Sequence, residues 1–64
     1  MITAGIDVGS LSTKAVIVAD GKPVGSGIVL TSPDTEASAA NSMNKALQQS
    51  GFARNDILHV TGTG

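Results

Sequence analysis

A chain of 64 residues with a formal net charge of −1 lacks the basic surplus of a nucleic-acid binder and the length for more than one small domain. It has no cysteine and one aromatic residue, Phe52, which excludes disulfides and thiolate metal sites within it and leaves light core material. A domain this small buries only about 60% of its unfolded surface, so the composition suggests an N-terminal piece of something larger, residues 1–64 being an incomplete part of one domain.

The first predicted element is a strand over Ile2–Val8, apolar on both faces and therefore central in its sheet. A Gly9-Ser10 turn separates it from a second strand, Ser12–Ala19, rich in Val and Ile. Asp20-Gly21 is a hairpin signal, and a third strand follows over Val24–Thr31. Gly25 and Gly27 weaken that strand and point to an edge position, a bulge or close packing against a neighbour. Tight connections make these three strands antiparallel neighbours.

Ser32 fits the N-cap of a helix, with Pro33 in the first helical position and Asp34 and Glu36 near the positive end of its dipole. Ala40, Met43 and Leu47, flanked by Ala39 and Ala46, mark its apolar stripe. Gly51 supplies a C-terminal stop, onto which Phe52 can fold back. Asn55-Asp56 turns the chain into a fourth strand, Ile57–Thr61. A helix between strands implies a right-handed crossover, which lays the fourth strand parallel to the first. The expected order is β-β-β-α-β, an α/β arrangement.

The start of the chain has no basic region and meets Asp7 within seven residues, unlike a signal peptide. No uncharged apolar run approaches the roughly 20 residues that span a bilayer. A soluble cytoplasmic protein, with no nucleic acid and no membrane as partner, is the expectation.

Chemistry concentrates at Gly5-Ile6-Asp7-Val8-Gly9-Ser10-Leu11-Ser12-Thr13-Lys14. A lone carboxylate in an apolar strand is costly without a partner, and a hydrated metal ion is a good one. Gly9 and the small hydroxylated residues beside it let backbone N–H groups approach an anion. Lys14 adds a mobile positive charge near the same turn. These are the parts that hold a Mg-nucleotide. The plainer alternatives are an acid capping its own turn and a solvated lysine.

Asp-x-Gly-Ser-x-x-x-Lys in this strand–turn–strand setting resembles the first phosphate loop of the actin-like ATPase superfamily, built on a ribonuclease H-like domain. With Val60-Thr61-Gly62-Thr63-Gly64 at the other end, the chain is most similar to the activators of 2-hydroxyacyl-CoA dehydratases and the ATPase subunits of benzoyl-CoA reductases, which carry a Thr-Gly-x-Gly segment at this point. The resemblance implies the N-terminal half of such a domain. It implies that Asp7 is catalytic and holds Mg through water, and that Gly9, Ser10, Leu11, Ser12, Thr13 and Lys14 bind ATP phosphates. Either the Ser12 or the Thr13 hydroxyl could reach them. Gly62, Thr63 and Gly64 then line the nucleotide cleft or a subunit interface.

The resemblance further implies a homodimer, or a pair with a homologous ATPase subunit, sharing a four-iron four-sulfur cluster whose ligands are not in this chain. Its electron acceptor is a dehydratase or reductase component. The competing readings are a sugar or ROK-type kinase and an actin- or chaperone-like nucleotide switch. His59, placed mid-strand among apolar neighbours, is expected to be structural. Asp20, Asp34, Glu36 and Asp56 are expected at turns and caps.

Overall fold

A computed structural model describes residues 1–63. Strands β1 (Ile2–Val8), β2 (Ser12–Ala19) and β3 (Lys22–Leu30) form an antiparallel meander. Helix α1 (Thr35–Ser50) and a single 3-10 turn at Arg54–Asp56 lead into β4 (His59–Thr63), which runs parallel to β1. The sheet order is β3-β2-β1-β4. β1 is thus central, as its apolar character requires, and the helical crossover returns β4 beside β1 and parallel to it, as expected. No helix among the described residues is long and apolar enough to cross a membrane.

The Asp20-Gly21 hairpin works as its residues dictate. Both residues have positive φ, 51° and 84°, the backbone of a two-residue turn whose twist matches the flanking strands. The N-terminal ammonium of Met1 donates to Asp20 Oδ1 at 2.9 Å. That bond, with the charge of the ammonium, holds the Asp20 carboxyl below its ordinary pKa.

α1 lies across one face of the sheet. Ala4, Ala15, Ile17, Met43, Ala46 and Ile57 form the buried core, with Ile2, Ile6, Leu47, Phe52 and Val60 packed against it. The helix sits nearest β3, and the two glycines there explain why. A Cβ on Gly25 would lie 2.5 Å from the Ala46 carbonyl oxygen, and one on Gly27 would collide with the Ser42 carbonyl oxygen and stand 2.5 Å from Lys45 Cβ. Of the three readings of these glycines, close packing holds at both. A bulge is also present, where the β2–β3 register shifts between Ile17 and Val18, and β3 is an edge among the described strands.

This close approach rotates the helix from its expected face. Ser38, Ser42, Met43 and Ala46 are buried, whereas Ala40 is exposed. Small residues outrank bulkier apolar ones wherever backbone meets backbone. Both serines satisfy their hydroxyls on the helix itself, Ser42 donating to Ala39 O at 2.9 Å and Ser38 to Asp34 O at 3.3 Å.

The helix also starts later than its sequence suggests. Asp34, not Ser32, is the N-cap, accepting from the Ala37 N–H at 3.1 Å. Ser32 instead donates its hydroxyl to Asp34 O at 2.9 Å and its N–H to Ser38 Oγ at 2.8 Å, tying the entering loop to the first turn. Gly51 ends the helix at φ 81°, its N–H on Leu47 O at 3.0 Å. β4 begins two residues after the expected Ile57, because Ile57 turns into the core while Leu58 N–H bonds Ile2 O at 2.8 Å. His59 opens that strand exposed, rather than lying among apolar neighbours in mid-strand.

Candidate functional site at the carboxyl end of the parallel pair

In open α/β sheets the carboxyl ends of parallel strands collect ligand-binding groups, because the loops leaving them are free to vary. Here β1 and β4 end together, with Ile6 opposite Gly62 and Asp7 opposite Thr63. On the other side of β1, Asp7 faces Lys14 directly across the antiparallel pair. Opposed residues share a sheet face, so one carboxylate and one ammonium-bearing chain stand side by side at the exit of β1. Both are exposed, on the face turned away from α1. A shallow hollow of about 320 Å³ is lined there by Gly5, Ile6, Asp7, Lys14, Val16 and Thr61.

The connection between β1 and β2 leaves the same end of β1, directly after Val8. Gly9 N–H donates to Ser12 O at 2.9 Å, closing a tight turn, and a Cβ on Gly9 would stand only 3.0 Å from that same oxygen. Ser10, Leu11 and Ser12 are exposed on the turn, Leu11 at 81%. Asp7, Gly9, Ser10, Leu11, Ser12, Lys14 and Gly62 are therefore gathered at one end of the sheet. Gly64 lies outside the described residues.

Thr13 is placed differently. Strand alternation turns it to the helix side, where it is fully buried and its hydroxyl lies 2.8 Å from that of Thr31. Thr31 in turn donates its hydroxyl to Gly9 O at 2.8 Å and its N–H to Leu11 O at 3.0 Å. The Thr13 side chain therefore underpins the turn from below. Sequence reading missed Thr31, taking it only as the last residue of a strand. The available signal was a hydroxyl immediately after the apolar run Ile28-Val29-Leu30, which becomes specific only with the register in hand.

Chemically, the donor set is one carboxylate, one lysine and a glycine-hydroxyl turn. No group of three or more His, Cys, Asp or Glu able to hold a metal occurs among the described residues. A divalent ion at Asp7 would complete its shell with water and ligand oxygens, which suits Mg, an ion that keeps several of its waters.

The chain is 39% identical over 64 residues to an activator of lactoyl-CoA dehydratase from Anaerotignum propionicum, covering 100% of this chain and 25% of that protein. It is 36% identical over 63 residues to an uncharacterized protein of Methanocaldococcus jannaschii, covering 98% and 15% respectively. Among solved structures, component A of the (R)-2-hydroxyglutaryl-CoA dehydratase of Acidaminococcus fermentans superimposes with a TM-score of 0.81 at 31% identity, over 100% of this chain and 26% of that one. A glycerol dehydratase reactivase gives a TM-score of 0.85 at 25% identity, over 98% and 12%. The chain thus spans a quarter or less of the curated relatives it matches. No family model matches it.

Proposed function

Because the chain belongs to the actin-like ATPase superfamily, as an N-terminal part of that fold, we propose that it supplies the first phosphate loop of a longer ATPase that activates a dehydratase. The observation that carries this reading is the pairing of Asp7 with Lys14 at the shared exit of β1 and β4, beside the Gly9–Ser12 turn. Asp7 would hold Mg through the ion's own waters, and the ion would supply charge neutralisation to the phosphates of bound ATP. Lys14 offsets charge that develops on the transferring phosphoryl group, and the Ser10–Ser12 backbone and hydroxyls contact phosphate oxygens. Gly62 and Thr63, at the end of β4 beside Ile6 and Asp7, would line the nucleotide cleft or a subunit interface.

The finer reading extends to the complete protein. It is a cytoplasmic homodimer, or a pair with a homologous subunit, in which ATP turnover drives electron delivery to a dehydratase or reductase component. A four-iron four-sulfur cluster would supply the low-potential electron. This chain has no cysteine with which to hold it, so its ligands would come from residues outside these 64. Support for a dehydratase partner comes from the names of two relatives, an activator of lactoyl-CoA dehydratase and component A of 2-hydroxyglutaryl-CoA dehydratase; the cluster and the electron delivery rest on the family resemblance of the loop. The glycerol dehydratase reactivase favours a second reading, restoration of a dehydratase without an iron centre.

The test is an anaerobic preparation of the full-length protein, assayed for Mg-dependent ATP hydrolysis and for iron and sulfide. Wild type should hydrolyse ATP and Asp7→Asn should lose at least about a hundredfold in rate with the fold intact. Iron with sulfide supports electron delivery, whereas an iron-free protein that revives a dehydratase supports the reactivase reading. An iron-free enzyme that phosphorylates a sugar or carboxylate would overturn both in favour of a kinase.

A further inference from the structure

We propose that Thr31, at the end of β3, is the positioning residue that aims the amides of the phosphate loop, with Thr13 as its proton donor. This deepens the phosphate-loop reading and rests on it.

A threonine hydroxyl has a single proton to donate. Thr31 places that proton on Gly9 O at 2.8 Å. In its contact with Thr13 Oγ1, also 2.8 Å, Thr31 must therefore accept, and Thr13 must donate. The relay runs one way, from the buried Thr13 hydroxyl through Thr31 to the Gly9 carbonyl. Thr13 is fully buried, so water has no access to reverse it.

The Thr31 N–H holds a second carbonyl of the same turn, Leu11 O, at 3.0 Å. One residue thus fixes two alternate carbonyls of a four-residue turn. No cis peptide occurs among the described residues, and in a planar trans peptide the carbonyl and the following N–H point in opposite directions. Drawing Gly9 O toward β3 turns the Ser10 N–H away from β3, and drawing Leu11 O the same way turns the Ser12 N–H away as well. Alternate amides directed to one side of a turn form a concavity for anions. Preorganisation of this kind removes the ordering cost that a mobile turn would face on binding phosphate.

The experiment compares ATP and adenosine binding by calorimetry in the full-length protein. Wild type is measured beside Thr31→Val, Thr31→Ser and Thr13→Val. Loss of the Thr31 hydroxyl should weaken ATP by about tenfold, the order expected for releasing one carbonyl. Adenosine, which has no phosphate, should bind as before. Thr31→Ser keeps the hydroxyl and should restore ATP affinity to within about twofold, and Thr13→Val, which leaves the Gly9 bond in place, should fall between.

Should Thr31→Val fold poorly, Thr31→Ala, which cannot overfill the space, carries the same comparison. Unchanged ATP affinity in these variants overturns the proposal and leaves the phosphate-loop reading standing. Equal losses for ATP and adenosine also overturn it, since they would mark Thr31 as a general prop of the fold. A wild-type protein that binds adenosine but gains nothing from the phosphates of ATP removes the phosphate loop, and this proposal with it.

Discussion

Gly27→Ala tests how closely α1 is seated on β3. The added Cβ would run into the Ser42 carbonyl oxygen and stand 2.5 Å from Lys45 Cβ and 2.8 Å from the Ala46 N. Two of these three atoms are backbone, so no rotamer change relieves the overlap and the helix must lift. Overpacking of this kind costs about 1–3 kcal/mol. Against it, replacing a strand glycine removes freedom from the unfolded chain, a gain of about 0.4–1 kcal/mol. The net expectation is a loss of about 1–2 kcal/mol.

In a protein of 150–250 residues each kcal/mol moves the melting temperature by about 2–4 °C, so Gly27→Ala should lower it by about 2–8 °C in differential scanning calorimetry of the full-length protein. Gly5→Ala is the control, because a Cβ there meets nothing within 4 Å. It keeps the unfolded-state gain without the clash, and its melting temperature should hold or rise. If Gly27→Ala melts at or above wild type, the helix is not packed on β3 as described and the steric reasoning fails.

The Lys14→Met variant should lower kcat and kcat/KM for ATP hydrolysis by about ten- to a hundredfold, the worth of one charge-assisted contact, with thermal stability unchanged because Lys14 is exposed; an unaltered kcat/KM would make it an ordinary solvated lysine. The isolated 64-residue chain should show no calorimetric ATP binding and a broad, weakly cooperative melt, since its buried core is six small or medium residues. A sharp transition with micromolar affinity would contradict this. For Asp20, whose pKa is depressed in the folded state, the stabilising contribution is present above the unfolded carboxylate pKa and lost as pH falls through the lower folded value. A carboxyl NMR titration of Asp20 should therefore give a midpoint below its ordinary value, returning toward it when the Met1 amine is acetylated.

Much of the site was legible in the residues themselves. Asp7, Gly9, Ser10 and Lys14 announce their chemistry by type and spacing, because a carboxylate in an apolar strand beside a glycine turn needs an explanation wherever it lies. The meander and the parallel return of β4 follow from connection length and handedness, which are local. The helix N-cap was misplaced by two residues because Ser32 and Asp34 are both good caps, and only the loop path chose between them: Ser32 is drawn back to Ser38, leaving Asp34 to accept from Ala37. His59 was expected in mid-strand because the apolar run begins at Ile57, whereas β4 begins at His59 itself, which is exposed.

By itself, the sequence determined the element order, the turn at Asp20-Gly21 with its two positive φ values, and the acid, glycines and lysine of the loop. Each of these is decided by bonds and sterics within a few residues. Only the tertiary structure decided the β2–β3 register. Val18 pairs with Pro23 but Ile17 pairs with Gly25, so Val24 is an extra residue that slips the rest of β3 by one. Because side chains alternate with period two, that slip turns Gly25 and Gly27 under the helix and leaves Ile28 and Leu30 on the open face, 56% and 85% exposed. It also carries Thr31 to Leu11 and within reach of Gly9. No local propensity distinguishes the two registers; the difference lies in whether a helix can approach the strand, and that is settled only when the two are packed together.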